Sequence, residues 1–203
     1  MPAYAWLAVS YLLGSIPAAL IAGKWLQGID LRRYGSGNLG ATNVYRVLGL
    51  RAAIAVFVFD LAKGVVPAVF FLRWTTGPHG NFLAFLYGLA AIIGHIRPIY
   101  LGGKGGGKGV ATASGVFLAI TPVPMLVALI VWVCVFALTR YVSLASLFAA
   151  GALPFAVAIW NGPRAFVVVV AATVSLFVIW THRANIARLR AGTEPRIDRA
   201  RAS

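Results

Sequence analysis

Apolar segments long enough to cross a bilayer fill most of this chain, and that feature constrains the fold before any other. They are Pro2–Gly23, Ala52–Leu72, Phe82–Tyr100, Val110–Leu138, Val142–Trp160 and Ala165–Trp180. A membrane-crossing helix needs about 20 such residues. Of the 203 residues, 61% are hydrophobic and 11% charged, whereas soluble domains run near 45–50% apolar and about 25% charged. A soluble chain of this length has too little polar surface to cover so much apolar area. The chain therefore reads as an all-α integral membrane protein, one polytopic domain over 1–203 with a short basic tail at 183–203. A secreted disulfide scaffold, a disordered chain and an ordinary cytosolic enzyme are excluded. Met1–Gly23 lacks a basic leader and a small-residue cleavage site, so it reads as a span and not as a signal peptide. The single cysteine, Cys134, can form no internal disulfide.

Charge sets the topology. There are 18 Lys and Arg against 4 Asp and Glu, for a net charge of +14. Basic loops stay in the cytoplasm. The loop with Lys24, Arg32, Arg33, Arg46 and Arg51 is placed there, and Arg97, Lys104 and Lys108 follow after two crossings. One crossing by Val110–Leu138 would send the Arg-rich tail outside. Two crossings, hinged at Thr121–Pro124, keep Arg140 and the tail inside and leave only Arg73 and Arg164 out. The expectation is seven transmembrane helices, N-terminus outside, C-terminus cytoplasmic, with glycine-rich cytoplasmic loops forming the site. Val110–Ile120 is too short to cross alone at 1.5 Å per residue. Because the topology absorbs most of the positive charge, nucleic acid is a poor partner. The tail's plain role is retention at an anionic leaflet.

Two loops carry the chemistry. The first, Gly35–Arg46, combines Gly35, Gly37 and Gly40 with Ser36, Asn38, Thr42, Asn43 and Arg46. Glycines let backbone amides approach a ligand, and Arg46 offers a bidentate grip on phosphate. A helix starting near Ala41 would aim its N-terminus at an anion. The second loop runs Gly94–Thr112, with six glycines plus Lys104 and Lys108 between 102 and 109. Gly102-x4-Gly107-Lys108 fits the first part of a P-loop, but Gly109 replaces the metal-binding hydroxyl and no acidic partner is near, so nucleotide hydrolysis is rejected. What remains is an anion cradle of amides and lysines, with Gly106 and Gly107 in its floor.

Other polar residues are fewer. Asp60 and Lys63 stand three apart inside an apolar run, on one helical face; they either neutralise each other or face a site. Arg140 with Ser143 and Ser146 opens the sixth span and either serves topology or lines a pocket. His182 and Asn185 close the seventh, where His182 is a candidate base near phosphate. His95 can hold its loop by a hydrogen bond. No cluster with metal-ligand spacing, no G-x-S-x-G elbow and no H-x4-D acyltransferase signature occurs.

In this order, Gly35–Arg46, Asp60–Gly64, Gly94–Thr112, Arg140–Ser146 and His182–Glu194 resemble the motifs of the bacterial membrane glycerol-3-phosphate acyltransferases that use acyl phosphate as donor. The resemblance covers nearly the whole chain. It implies transfer of an acyl group from long-chain acyl phosphate to the 1-hydroxyl of glycerol 3-phosphate, giving 1-acylglycerol 3-phosphate and inorganic phosphate in phospholipid biosynthesis. It implies no cofactor, no metal, and a multi-pass protein of the bacterial inner membrane, in contact with membrane lipid, whose site faces the cytoplasm. By the same resemblance, Ser36, Arg46, Lys108 and His182 are catalytic. Gly37, Asn38, Gly40, Thr42, Asn43, Lys104, Gly106, Gly107, Ser143 and Asn185 bind substrate, and Asp60, Lys63, His95 and Arg140 support the site. Two departures stand out. The family has Lys-Gly-Gly-Lys-Gly where this chain carries one more glycine in Lys104–Gly109, and Arg97 replaces an aromatic residue. The rival reading is a membrane carrier for phosphate or phosphate esters, since broken helices aimed at an anion are a transporter device. Against it, the polar residues gather on one side of the membrane and no inverted repeat is visible. A lipid-touching scaffold would need only charge, not ordered small polar residues.

Overall fold

The computed structural model describes residues 2–73, 80–161 and 165–197. His79, Arg164, Arg199 and Arg201 lie outside them. The longer helices follow apolar runs, and the chain divides into two compact units, Met1–Ile120 and Thr121–Ser203.

The first unit holds α1 (Ala3–Ser15), α2 (Ala18–Gln27), α3 (Ala41–Leu48), α4 (Leu50–Arg73), α5 (Gly80–Ile96) and α6 (Val110–Ile120). The first apolar run is not one continuous helix. It breaks at Ile16-Pro17, where Ile16 is extended (φ −61°, ψ 115°) because the proline ring disfavours helical backbone in the residue before it. In a membrane, helices attract each other by close packing, which favours small residues at crossings. A β-carbon at Gly64 would overlap the carbonyl oxygen of Thr112, and one at Gly115 that of Leu61, so α4 and α6 meet backbone to backbone. Gly14 and Gly94 bring α1 and α5 together in the same way. Beside this bundle, α2, α3 and the start of α4 enclose a small core of Leu20, Leu31, Leu39, Val44 and Val56, which positions the first glycine loop.

The second unit holds α7 (Pro122–Thr139), α8 (Val142–Asn161), α9 (Ala165–Thr181) and α10 (Arg183–Arg190). The expected hinge is present: α6 ends at Ile120 and α7 starts at Pro122. Pro122 at the first helical turn needs no intrahelical partner for its nitrogen. α7 packs on α8, and α8 on α9. Gly192 (φ 68°) stops α10, and the chain turns back so that the amide of Ile197 donates to the Arg140 carbonyl at 3.0 Å.

Among the described residues, five helical stretches are long and apolar enough to cross a membrane: Ala3–Gln27, Leu50–Phe71, Phe82–Leu101, Pro122–Thr139 and Val142–Asn161. The pair Phe166–Thr181 and Arg183–Arg190, bent by 58°, makes a sixth if counted as one. α6 has 11 residues, or roughly 16 Å at 1.5 Å each, about half a hydrocarbon core.

Candidate active site

The first glycine loop is fastened from both ends. Ahead of it, Asp30 caps a 3-10 turn at Leu31–Arg33, accepting from the Arg32 amide at 3.0 Å and from its guanidinium at 2.6 Å. Those bonds, the side-chain one first, hold the Asp30 carboxyl down to about 2. From α3, Asn43 is buried and reaches back. Its Oδ1 accepts from the Ser36 amide at 2.8 Å, and its Nδ2 donates to the carbonyls of Leu31 (3.3 Å) and Tyr34 (3.1 Å). Gly35 (φ 59°) lies so close to Asn43 Oδ1 that a β-carbon would overlap it. Ser36 is thus left exposed on a fixed turn. Gly40 caps α3, where Thr42 and Arg46, both half-buried, fall four apart on one face.

The second glycine loop meets the first. Asn38 Nδ2 donates to the Gly106 carbonyl at 3.3 Å. Gly102, Gly103, Gly105 and Gly109 all take positive φ, a path closed to most other residues. Gly107 is buried and donates its amide to the His95 carbonyl at 3.1 Å. Lys108 is half-buried just before α6, whereas Lys104 is exposed. Arg97, the departure from the family pattern, has a task here. Its Nη1 donates to the Gly103 carbonyl at 3.3 Å, and its own carbonyl accepts from Tyr11 Oη at 2.8 Å.

Beneath this loop lie three ionisable groups. Asp60 and Lys63 on α4 and His95 on α5 are 2%, 3% and 7% exposed. Lys63 Nζ is 2.8 Å from Asp60 Oδ1, and His95 Nδ1 is 3.5 Å from the same oxygen. Lys63 also donates to the Ile16 carbonyl at 3.0 Å, at the α1 break. Removing one partner of such a buried pair costs about 3–5 kcal/mol, because the other charge is left unpaired.

The second unit, taken by itself, holds a side-chain cluster centred on Glu194. Its Oε1 accepts from Ser143 Oγ at 2.7 Å and Asn185 Nδ2 at 2.6 Å, and its Oε2 accepts from Arg188 Nε at 2.7 Å. Burial pushes the Glu194 carboxyl up, but the bonds from Ser143, Asn185 and Arg188 outweigh it and leave it below the ordinary value. His182 is 3% exposed and its Nδ1 contacts the Val178 carbonyl at 2.8 Å. A carbonyl only accepts, so Nδ1 carries a proton. Arg140 takes φ 62° at the end of α7, rare for a residue with a β-carbon. Its carbonyl anchors the returning tail. Among the described residues, no three His, Cys, Asp or Glu side chains converge as a metal-binding group.

Sequence reasoning did not single out Glu194 as a site residue. It is one of only four acids in a strongly basic chain and lies in an Arg-rich tail, and that imbalance was the available signal.

Several helices long and apolar enough to cross a membrane, with two glycine loops joined at Asn38–Gly106, define a multi-pass membrane protein. The model of the glycerol-3-phosphate acyltransferase family matches residues 4–192, and the chain belongs to that family. A glycerol-3-phosphate acyltransferase of Parasynechococcus marenigrum is 47% identical over 94% of this chain and 88% of its own length. One from Macrococcus caseolyticus is 43% identical over 94% and 95%. Among solved structures, PlsY (YgiH), an integral membrane glycerol 3-phosphate acyltransferase, is similar in its glycerol 3-phosphate form. Its TM-score is 0.88 and identity 39%, over 97% of this chain and 96% of that one. Its lysophosphatidic acid form has a TM-score of 0.86.

Proposed function

We propose that the protein transfers the acyl group of a long-chain acyl phosphate to the 1-hydroxyl of glycerol 3-phosphate, releasing inorganic phosphate and 1-acylglycerol 3-phosphate. The observation that carries this reading is the family match, which spans both glycine loops and the His182 segment. The loops themselves are joined at Asn38–Gly106.

The chemistry suits these residues. Both substrates carry phosphate, so the site must gather two anions. Loop amides, Arg46 and Lys108 neutralise phosphate and the oxyanion that develops on the carbonyl. Ser36 hydrogen-bonds the donor phosphate or carbonyl. The hydroxyl oxygen attacks the carbonyl carbon, the bond from that carbon to the bridging oxygen breaks, and phosphate leaves. The hydroxyl proton passes to His182 Nε2 or to the departing phosphate. An acyl phosphate is already activated, so proximity supplies much of the acceleration without a covalent enzyme intermediate. His182 with Asn185 positions glycerol 3-phosphate, and Asn38, Thr42, Lys104 and Ser143 add polar contacts. Asn43 acts through the loop it fastens, and Arg140 through the tail it anchors. The reaction needs no metal or cofactor. The chain crosses the inner membrane seven times, N-terminus out, with the loops on the cytoplasmic side.

The test compares donors. Purified protein in detergent, with chelator present, is given glycerol 3-phosphate and either palmitoyl phosphate or palmitoyl-CoA. Lysophosphatidic acid formed from palmitoyl phosphate alone supports the reading. Product from palmitoyl-CoA alone, or activity abolished by chelator, overturns it.

A further inference from the structure

The second glycine loop has little of its own to hold it still, with six glycines between 102 and 109. Its support comes from below. The Gly107 amide donates to the His95 carbonyl at 3.1 Å, and a β-carbon at Gly107 would overlap His95 Nε2. The loop therefore rests on the edge of the imidazole. That ring is in turn placed by Asp60, whose Oδ1 faces His95 Nδ1 at 3.5 Å and Lys63 Nζ at 2.8 Å. Lys63 ties the group to the Ile16 carbonyl at 3.0 Å.

These residues line a crevice with Ser15, Leu39 and Gly107 that offers about 10 Å³, room for one water-sized sphere. The three buried ionisable groups around it are engaged with one another and with the Ile16 carbonyl.

We propose that Asp60 and His95 are a positioning pair. Asp60, anchored through Lys63 to the break between α1 and α2, orients the His95 ring, and the ring sets the height of Gly106–Lys108. Neither residue touches substrate. The inference rests on the reading that this loop and Lys108 hold a substrate phosphate. It assigns three buried ionisable groups to the precision of a glycine-rich loop.

The variant that isolates the pair is His95→Phe, which keeps a ring under Gly107 and removes Nδ1. It leaves the Asp60–Lys63 pair intact, whereas Asp60→Asn strands a buried lysine and is the riskier variant for folding. Two measurements are made on wild type and His95→Phe in the same detergent. One is turnover of palmitoyl phosphate with glycerol 3-phosphate, and the other is amide hydrogen exchange. The expected result is a KM for one of the two substrates raised at least tenfold, with kcat within threefold. Exchange at Gly103–Lys108 should be at least tenfold faster, with α8 and α9 unchanged. An unchanged KM, exchange rates like wild type, or a loss confined to kcat overturns the proposal. Wild-type protein inert toward these substrates sinks the functional reading instead, and the exchange comparison then still decides whether His95 holds the loop.

Discussion

In the first unit, the Ser36 turn is fixed from α3 by a neutral group. Asn43 spends its amide on one N–H and two carbonyls of the loop, and glycines allow the close approach. In the second unit, a single carboxylate collects Ser143, Asn185 and Arg188. The first arrangement shapes the backbone. The second arrests side chains and ties the tail to the start of α8. An amide adds no charge to the backbone it orders, whereas the Glu194 carboxylate brings a charge that Arg188 balances. The neutral fastener orders backbone, and the charged one gathers donor side chains from separate helices.

Substitutions that strip the first region of its cations should have the largest effect. Arg46→Ala or Lys108→Ala should lower kcat/KM by about 10²–10³ or more in protein that still folds and inserts. Lys104→Ala, at an exposed position, should cost less than about tenfold, since a surface charge is screened by water and salt. Equal losses at Lys104 and Lys108 would break the assignment.

Next come the fasteners. Glu194→Ala leaves two buried donors unpaired, at about 1–3 kcal/mol each, and should lower the Tm in detergent more than any single change in the Asn43 network. Asn43→Ala removes three neutral hydrogen bonds and should cost about 1–3 kcal/mol, with activity falling along with the order of the Ser36 turn. If Asn43→Ala proves the more damaging to Tm, the contrast between charged and neutral fastening fails.

The pH dependence sharpens the same contrast. The folded-state pKa of Glu194 lies below its ordinary 4.5. Its contribution is therefore complete above about pH 4.5 and is lost as pH falls through the folded-state value. Thermal stability should drop in that acid range for wild type, and the drop should shrink in Glu194→Gln. The smallest effect belongs to Asp30→Asn. That pair is exposed, and exposed ion pairs contribute little, so turnover should match wild type and Tm should move by less than about 2 °C.

Much of this was legible in the sequence. Apolar run length pointed to the long helices, and Pro122 with Pro124 to the break before α7. The break at Ile16-Pro17 was less legible, because Pro17 sits inside a run whose hydropathy never falters. Hydropathy reports burial, not backbone continuity. The meeting of the two glycine loops at Asn38–Gly106 spans 68 residues and leaves no periodic trace. Glu194 was hidden for a related reason. Its partners Ser143 and Asn185 come from separate helices, so no local spacing connects the three. The role of Arg97 is equally non-local, since it depends on the path of glycines after it.

In the proposed reaction, acyl transfer to glycerol 3-phosphate expels the donor's phosphate. That step is tested most directly with purified protein, palmitoyl phosphate labelled with ¹⁸O at the bridging oxygen, and glycerol 3-phosphate. Inorganic phosphate and lysophosphatidic acid are followed together. Equal amounts of both are expected, with the label in the phosphate and neither product without glycerol 3-phosphate. Phosphate released without the lipid, or label retained in a free fatty acid, would contradict it.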